Sequence, residues 1–203
     1  MIRRTLLALA ALLLWPALAV AQDTAPPALP RVALETSAGR ITIEVEEARA
    51  PITAANFLKY VDERRLDGAT FYRAMQSGPG TGLVQGGVNN DPERVLPPIA
   101  HEPTTQTGLS HIDGAVSMAR YAPGTATGDF FVSVGPTLSY DAGRSFSVDP
   151  DGFAVFGRVV GGMEVVRAIL ASPTSPTEGE GFMRGQMLEP KITILQAWRE
   201  TTP

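Results

Sequence analysis

Cysteine is absent from this sequence of 203 residues. Without cysteine the protein forms no disulfide bond and has no thiol nucleophile, and lipid attachment to an N-terminal cysteine is excluded. Stability must therefore come from a packed hydrophobic core, which a chain of this length is able to bury in one domain.

Histidine is scarce, and basic residues are not in excess. The only two histidines are His101 and His111, ten positions apart. This spacing suits neither a zinc cluster nor a Ser-His-Asp site, so we expect no bound metal and no hydrolase activity. The formal net charge is −4. With no basic stripe along the chain, we expect no nucleic-acid partner.

Long apolar runs are also lacking, apart from one at the N-terminus. Arg3 and Arg4 precede the run 6–14, and Ala19-Val20-Ala21 follows it. This order is typical of a secretory signal peptide over residues 1–21, cleaved before Gln22. The run is about half the ~20 residues that cross a bilayer, which argues against the alternative of an uncleaved anchor. We therefore predict an exported protein, in the periplasm or secreted, without a membrane anchor.

The remaining chain indicates a mainly β domain. Residues 22–30 are rich in Ala and Pro and are predicted to be a flexible tether. Period-two alternation predicts eight strands, and apolar residues at helical spacing predict two helices. The strands are a hairpin over 32–45, then 70–75, 82–87, 114–119, 129–134, 153–160 and 191–198; the helices are 52–65 and 162–171. A loop is predicted over 172–190.

Many short strands favour closure into a barrel, because closure removes exposed sheet edges. We therefore predict a closed eight-stranded antiparallel β-barrel over residues 31–198, with two capping α-helices and a tail at 199–203. A sandwich with flanking helices is the alternative.

Five short motifs are candidates for a functional site. In chain order they are Phe71-Tyr72-Arg73, Gln85-Gly86-Gly87, Ser117-Met118-Ala119-Arg120, Phe130-Phe131 and Val155-Phe156-Gly157. Each alone has an ordinary explanation, such as a solvent-facing arginine, a polar edge residue or a core phenylalanine pair. Together and in this order they resemble the cyclophilin-type peptidyl-prolyl cis-trans isomerase family.

This resemblance implies an enzyme that rotates X–Pro bonds without a cofactor or a covalent intermediate. Arg73 matches the arginine that donates to the prolyl nitrogen, and Gln85 matches the glutamine that orients it. The resemblance also implies six substrate-binding residues, which are Phe71, Leu83, Ala119, Arg120, Phe131 and Phe153. The expected partners are proline-containing segments of unfolded or exported proteins, bound by a monomer.

Three features depart from the family pattern. Residues 76–82 contain an insertion of about four residues at the edge of the expected groove, where an aromatic residue is common. No tryptophan occurs between residues 135 and 153, where the family often has one. Asp129 replaces a glutamine, and it could pair with Arg120, which strand adjacency favours, or with Arg73. The alternative function is therefore a catalytically weak module that binds proline-containing peptides or a partner protein.

Overall fold

A computed structural model describes residues 28–144 and 146–201, so the predicted signal peptide lies outside the described residues. Nine strands are present in this part of the chain. They are β1 (Arg31–Thr36), β2 (Gly39–Val45), β3 (Thr70–Gly78), β4 (Thr81–Gly87), β5 (Ala115–Met118), β6 (Phe130–Val134), β7 (Ala154–Gly161), β8 (Thr174–Ser175) and β9 (Met187–Glu200).

Eight of these strands close into an antiparallel barrel. Their order is β1-β2-β7-β5-β6-β4-β3-β9, and β1 pairs with β9 to complete the ring. The last strand is long enough to pair with β3 near its start and with β1 near its end. Arg199 and Glu200, predicted as tail residues, lie in this strand opposite Val32 and Arg31. The predicted eight-stranded barrel is confirmed.

The two predicted helices are present as α1 (Pro51–Asp62) and α3 (Met163–Leu170). A third helix of four residues, α2 (Thr104–Thr107), lies between them in the chain and was not predicted. The predicted loop over 172–190 is wrong at both ends. It includes the two-residue strand β8, and Met187 already pairs with Ser175 and with Arg73. No helix in the described part of the chain is long and apolar enough to cross a membrane.

Aromatic rings fill the centre of the barrel. Phe130 packs edge to face against Phe57 at 5.5 Å and against Phe71 at 5.7 Å, and Phe57 also contacts Phe156 at 4.9 Å. All four rings are buried in one hydrophobic cluster. Because strand side chains alternate between two faces, the neighbours of these core residues point out of the barrel wall.

Candidate active site

A groove of about 310 Å³ lies on the outer face of β3, β4 and β6. Alternation along two of these strands provides its side chains. In β6, Phe130 and Val132 face the core, whereas Phe131 lines the groove. In β4, Val84 faces the core, whereas Leu83 and Gln85 line the groove. The volume is near the lower end of the range for small-ligand sites, about 300–1,000 Å³.

The alternation of side chains between the two faces is interrupted in β3, and this irregularity brings Arg73 into the groove. Phe71 is opposite Gly86 and Arg73 is opposite Gln85, so Tyr72 is an extra residue in the pairing. Such a bulge turns the following side chain to the other face. Phe71 therefore points into the core, whereas Tyr72 and Arg73 both line the groove. The expectation that Phe71 contacts substrate is corrected, since its side chain is fully buried on the opposite face.

The two positions after Gln85 require glycine, because other groups lie very close to the β4 backbone on both of its faces. A Cβ atom on Gly86 would lie 2.7 Å from the Phe71 ring, and one on Gly87 would lie 2.5 Å from Oδ1 of Asp129. Gly87 also has a φ of +136°, which favours glycine. The Gln-Gly-Gly motif thus lets a core ring and a carboxylate approach the same stretch of backbone.

Arg73 is held in place by two amide oxygens. Its Nε donates to Oε1 of Gln186 at 2.9 Å, and its Nη1 donates to Oε1 of Gln85 at 2.8 Å. Among the residues described, none accepts a hydrogen bond from Nη2, which leaves these donors for a bound molecule. Burial lowers the pKa of Arg73, although a guanidinium remains charged. The groove therefore contains a fixed cation with donors to spare.

Asp129 pairs with neither of the arginines considered from the sequence. Its Oδ2 accepts from the Tyr72 hydroxyl at 3.2 Å, and its Oδ1 accepts from the backbone N–H of Asn89 at 2.7 Å. Burial raises the pKa of Asp129 although these hydrogen bonds oppose the rise. The Tyr72 hydroxyl also accepts from Nε2 of Gln85 at 2.7 Å. A chain of hydrogen bonds thus runs from Asp129 through Tyr72 and Gln85 to Arg73.

Three aromatic rings form an apolar cup next to Arg73. Phe131 lies 5.6 Å from both Tyr140 and Phe153, and Tyr140 lies 5.4 Å from Phe153. Leu83 also lines the groove. Tyr140, for which the sequence predicted no role, lies in the interval 135–153 that contains no tryptophan. The cup is therefore lined by aromatic and aliphatic side chains, and it is suited to binding a small apolar ring.

Ala119 and Arg120 line the groove after the end of β5. The guanidinium of Arg120 lies over the Phe153 ring at 4.9 Å, pairs with Asp149 at 3.0 Å and donates to the carbonyl of Gly152. Its side chain is almost completely buried. Arg120 therefore supports Phe153 with its charge already compensated.

A chain of hydrogen bonds through a serine, a histidine and an aspartate, here called the polar line, lies behind the cup. The spacing of the two histidines did not suggest this arrangement. His111 contacts Oδ1 of Asp141 through Nδ1 at 2.7 Å and Oγ of Ser117 through Nε2 at 3.0 Å. Its ring stacks on Phe131 at 5.7 Å. Ser117 and His111 are both 0% exposed, so no substrate reaches the serine oxygen. The line supports the floor of the cup.

The inserted residues 76–82 extend the β3–β4 hairpin. None of them lines the groove, which begins at Leu83, just beyond them. The segment before β9 forms another part of the groove wall, to which it contributes Glu178, Phe182 and Met183. Sequence reasoning assigned no role to this segment. Its signal was a Phe-Met pair in a glycine-rich stretch, which is too short to show a period.

The predicted residues Arg73, Gln85, Leu83, Ala119, Arg120, Phe131 and Phe153 thus line one groove, and Phe71 does not. Residues 31–197 match the family described as cyclophilin type peptidyl-prolyl cis-trans isomerase/CLD. Peptidyl-prolyl cis-trans isomerase A of Dickeya dadantii is 37% identical over 142 residues, which cover 68% of this chain and 70% of the relative. The isomerase of Acinetobacter baylyi is 35% identical over 148 residues, covering 71% and 73%.

Solved structures agree on the fold. A cyclophilin type peptidyl-prolyl cis-trans isomerase of Cryptosporidium parvum superposes with a TM-score of 0.67 at 17% identity, over 86% of this chain and 99% of that one. The same protein, solved in the presence of the dipeptide Ala-Pro, also gives 0.67. The match over nearly the whole barrel, together with these identities, shows that the chain belongs to the cyclophilin-type peptidyl-prolyl cis-trans isomerase family, as predicted, and is an enzyme of that class.

Proposed function

We propose that the groove binds an X–Pro segment with the proline ring in the Phe131–Tyr140–Phe153 cup and the prolyl nitrogen facing Nη2 of Arg73. The observation that carries this proposal is the placement of a clamped guanidinium, with Nη2 unused by the described residues, in the same groove as an open apolar cup. The Cryptosporidium parvum relative was solved in the presence of an Ala-Pro dipeptide, which supports this class of ligand.

In this proposed placement, Arg73 and the cup together lower the barrier to rotation. Rotation of an X–Pro bond is opposed by amide resonance, with a barrier of about 18–20 kcal/mol. In the twisted amide the nitrogen regains its lone pair and becomes a hydrogen-bond acceptor. A donor fixed at that position stabilises the twisted form more than either planar isomer, which is the requirement for catalysis. The apolar cup removes water that would otherwise compete for the amide.

Gln85 and Gln186 have a positioning role in this scheme. Each accepts one hydrogen bond from Arg73, at 2.8 Å and 2.9 Å, so the plane of the guanidinium is fixed before substrate binds. A lysine at position 73 would lack the planar fork that both amides engage. Asp129 contacts Tyr72 and the Asn89 N–H rather than Arg73, which supports catalysis over the alternative of a weak binding module, because one of the departures behind that alternative leaves Arg73 free to donate.

The test is to measure cis–trans exchange of an Ala-Ala-Pro-Phe peptide by exchange NMR. Arg73→Ala is expected to lower kcat/KM about 100-fold, the typical effect of removing one preorganised donor. Arg158→Ala is the matched control, because Arg158 is an exposed arginine on β7 that pairs with Glu44 away from the groove. Full activity of Arg73→Ala would refute the role of Arg73. A wild-type protein that binds the peptide without accelerating exchange would favour the binding module.

We also propose that the enzyme works on exported proteins in the periplasm of a double-membraned bacterium. The signal-like order of Arg3, Arg4, the apolar run 6–14 and Ala19-Val20-Ala21 supports this location. Expression of the full chain in such a bacterium, followed by fractionation and N-terminal sequencing, is expected to give a periplasmic protein beginning at Gln22. A cytoplasmic protein that retains residues 1–21 would refute the proposal.

A further inference from the structure

Residues 176–186, between β8 and β9, fold into a compact segment at the edge of the groove, here called the rim segment. Its backbone is closed by hydrogen bonds from Gly185 N–H to the Glu178 carbonyl at 3.0 Å and from Gln186 N–H to the Met183 carbonyl at 3.1 Å. The Ala74 N–H donates to the carbonyl of Gln186 at 2.9 Å and attaches the segment to β3. The rim segment is therefore an ordered wall rather than a loose connection.

One side chain connects this wall to the catalytic arginine. Gln186 accepts from Nε of Arg73 at 2.9 Å and donates from its own Nε2 to the Phe182 carbonyl at 2.8 Å. The Phe182 ring lies 5.5 Å from the guanidinium carbon of Arg73. The position of Phe182 is thus fixed relative to the group that acts on the prolyl bond.

The exposure of Phe182 is unusual for a side chain held this way. Its ring is 80% exposed, and half-buried Met183 lies beside it on the same wall of the groove. Burial of a phenylalanine is favourable by about 1.5–3 kcal/mol, so an ordered but uncovered ring at a groove edge is a surface that a ligand stabilises by covering it. Methionine adapts its shape to different apolar partners.

The strand order shows which part of a peptide reaches this surface. The strands under the groove follow the order β5, β6, β4, β3, β9. Ala119 and Arg120 follow β5 at one end, and the rim segment precedes β9 at the other. A proline held over β6 with its nitrogen at Arg73 on β3 therefore has one flanking residue near Ala119 and the other near Phe182. The Phe182 ring lies 5.5 Å from the guanidinium carbon of Arg73, and consecutive residues advance by at most about 3.6 Å, so the immediate neighbour of a proline whose nitrogen faces Arg73 is within reach of the ring.

We propose that Phe182 and Met183 form an apolar subsite that selects a large apolar side chain next to the proline, on the side away from Ala119 and Arg120. This inference rests on the proposed function of the groove. The subsite recognises substrate by hydrophobic contact with the Phe182 ring, whose other face is covered by Arg73. The subsite makes the enzyme selective among X–Pro bonds through residues that lie outside the five sequence motifs.

The test compares two peptide series, Ala-Xaa-Pro-Ala and Ala-Ala-Pro-Xaa, with Xaa as Phe, Leu, Ala or Glu. For each peptide, kcat/KM is measured by exchange NMR and Kd by NMR titration. In the wild type, Phe or Leu is expected to exceed Ala by about five- to tenfold in one series only, which corresponds to roughly 1.0–1.4 kcal/mol. Phe182→Ala is expected to reduce this ratio to below twofold, and Phe182→Leu to keep most of it.

Phe146→Ala is the matched control. Phe146 is also an exposed phenylalanine, at 57%, whose ring lies 5.8 Å from the guanidinium carbon of an arginine, Arg144, but it does not line the groove. This variant should keep both the activity and the ratio. A ratio that is unchanged in Phe182→Ala, or an active wild type with no preference in either series, would refute the subsite alone. Absence of any acceleration by the wild type would refute the proposed function, and the Kd ratios would still decide the subsite.

Discussion

At the scale of single residues, Tyr72 has a role that its place in the Phe71-Tyr72-Arg73 motif did not indicate. Its hydroxyl accepts from Gln85 and donates to Asp129, at 2.7 Å and 3.2 Å. Burial raises the pKa of Tyr72, so the hydroxyl keeps the proton that it donates. Tyr72 therefore fixes which end of the Gln85 amide faces Arg73.

Tyr72→Phe is expected to lower kcat/KM about three- to tenfold and the free energy of unfolding by about 1–2 kcal/mol, because buried Asp129 and half-buried Gln85 each lose a partner. Exchange NMR and urea denaturation measure the two effects. Tyr60→Phe is the control, since the buried Tyr60 hydroxyl accepts from the Leu96 N–H at 2.7 Å away from Arg73. It should lose stability while retaining activity. Equal activity in wild type and Tyr72→Phe would show that Gln85 needs no such partner.

The site residues that were predictable from sequence are those that lie in ordered motifs, such as Arg73, Gln85 and Phe131. The expectation for Phe71 was wrong, and simple alternation does not correct it, because it puts Phe71 on the same face as Arg73; only the pairing of β3 with β4 shows the bulge between them. Gln186 was missed for a related reason. Its contact with Arg73 joins residues 113 positions apart, and no local pattern encodes that distance.

At the scale of elements, helix α1 depends on a residue from another part of the chain. It begins at Pro51 without a side-chain cap from Ala50. Oε2 of Glu102 instead accepts from the N–H of Thr53 at 2.8 Å, and Oε1 accepts from the N–H of Ile52 at 3.2 Å. Glu102 is 1% exposed. A carboxylate at this end also interacts favourably with the helix dipole.

Glu102→Ala is expected to lower the free energy of unfolding by about 2–3 kcal/mol, because buried N–H groups lose a charged acceptor. Urea denaturation followed by circular dichroism measures the change. Glu47→Ala, at an exposed glutamate on the β2–α1 connection, should stay within about 0.5 kcal/mol of wild type. A loss below that value in Glu102→Ala would mean that the backbone finds other partners.

Elements with a clear period were predictable, and those without one were not. Alternation identified the strands, and helical spacing identified α1 and α3. The helix α2 has four residues, which is too few to show a period. The start of β9 at Met187 was not predictable, because Glu189 and Pro190 interrupt its alternation and its assignment requires pairing with β3 and β8.

At the scale of the whole molecule, the barrel followed from the number of short strands, but the buried polar line inside its wall did not. Asp141 receives hydrogen bonds from Ser110 at 2.5 Å, from the His111 backbone at 2.9 Å and from Arg144 at 2.9 Å, besides that of the imidazole. These groups meet only when the loop after β6 folds back over β5. These hydrogen bonds join β5, through Ser117, to that loop, and the His111 ring stacks on Phe131 of β6.

This polar line makes the stability of the fold depend on pH. Burial lowers the pKa of His111 below its ordinary 6.5, although the hydrogen bond to Asp141 opposes the shift. Burial raises the pKa of Asp141, but hydrogen bonds from Ser110 and His111 outweigh it and leave the pKa below the ordinary 3.8. The unfolded chain therefore binds more protons in both cases, and stability is lost on acidification. The histidine contributes first, as the pH falls below 6.5, and the carboxyl contributes at lower pH.

The free energy of unfolding is accordingly expected to fall between pH 7 and pH 5, with a contribution from His111 of up to about 1.4 kcal/mol per pH unit. Urea denaturation at a series of pH values measures it. His111→Gln removes the titrating group, so its curve should be flatter over this interval even if its stability at pH 7 is lower. His101→Gln is the control, because His101 contacts the Asp151 carbonyl outside the polar line, and it should retain the fall. A His111→Gln curve parallel to that of the wild type would place the acid sensitivity elsewhere in the barrel.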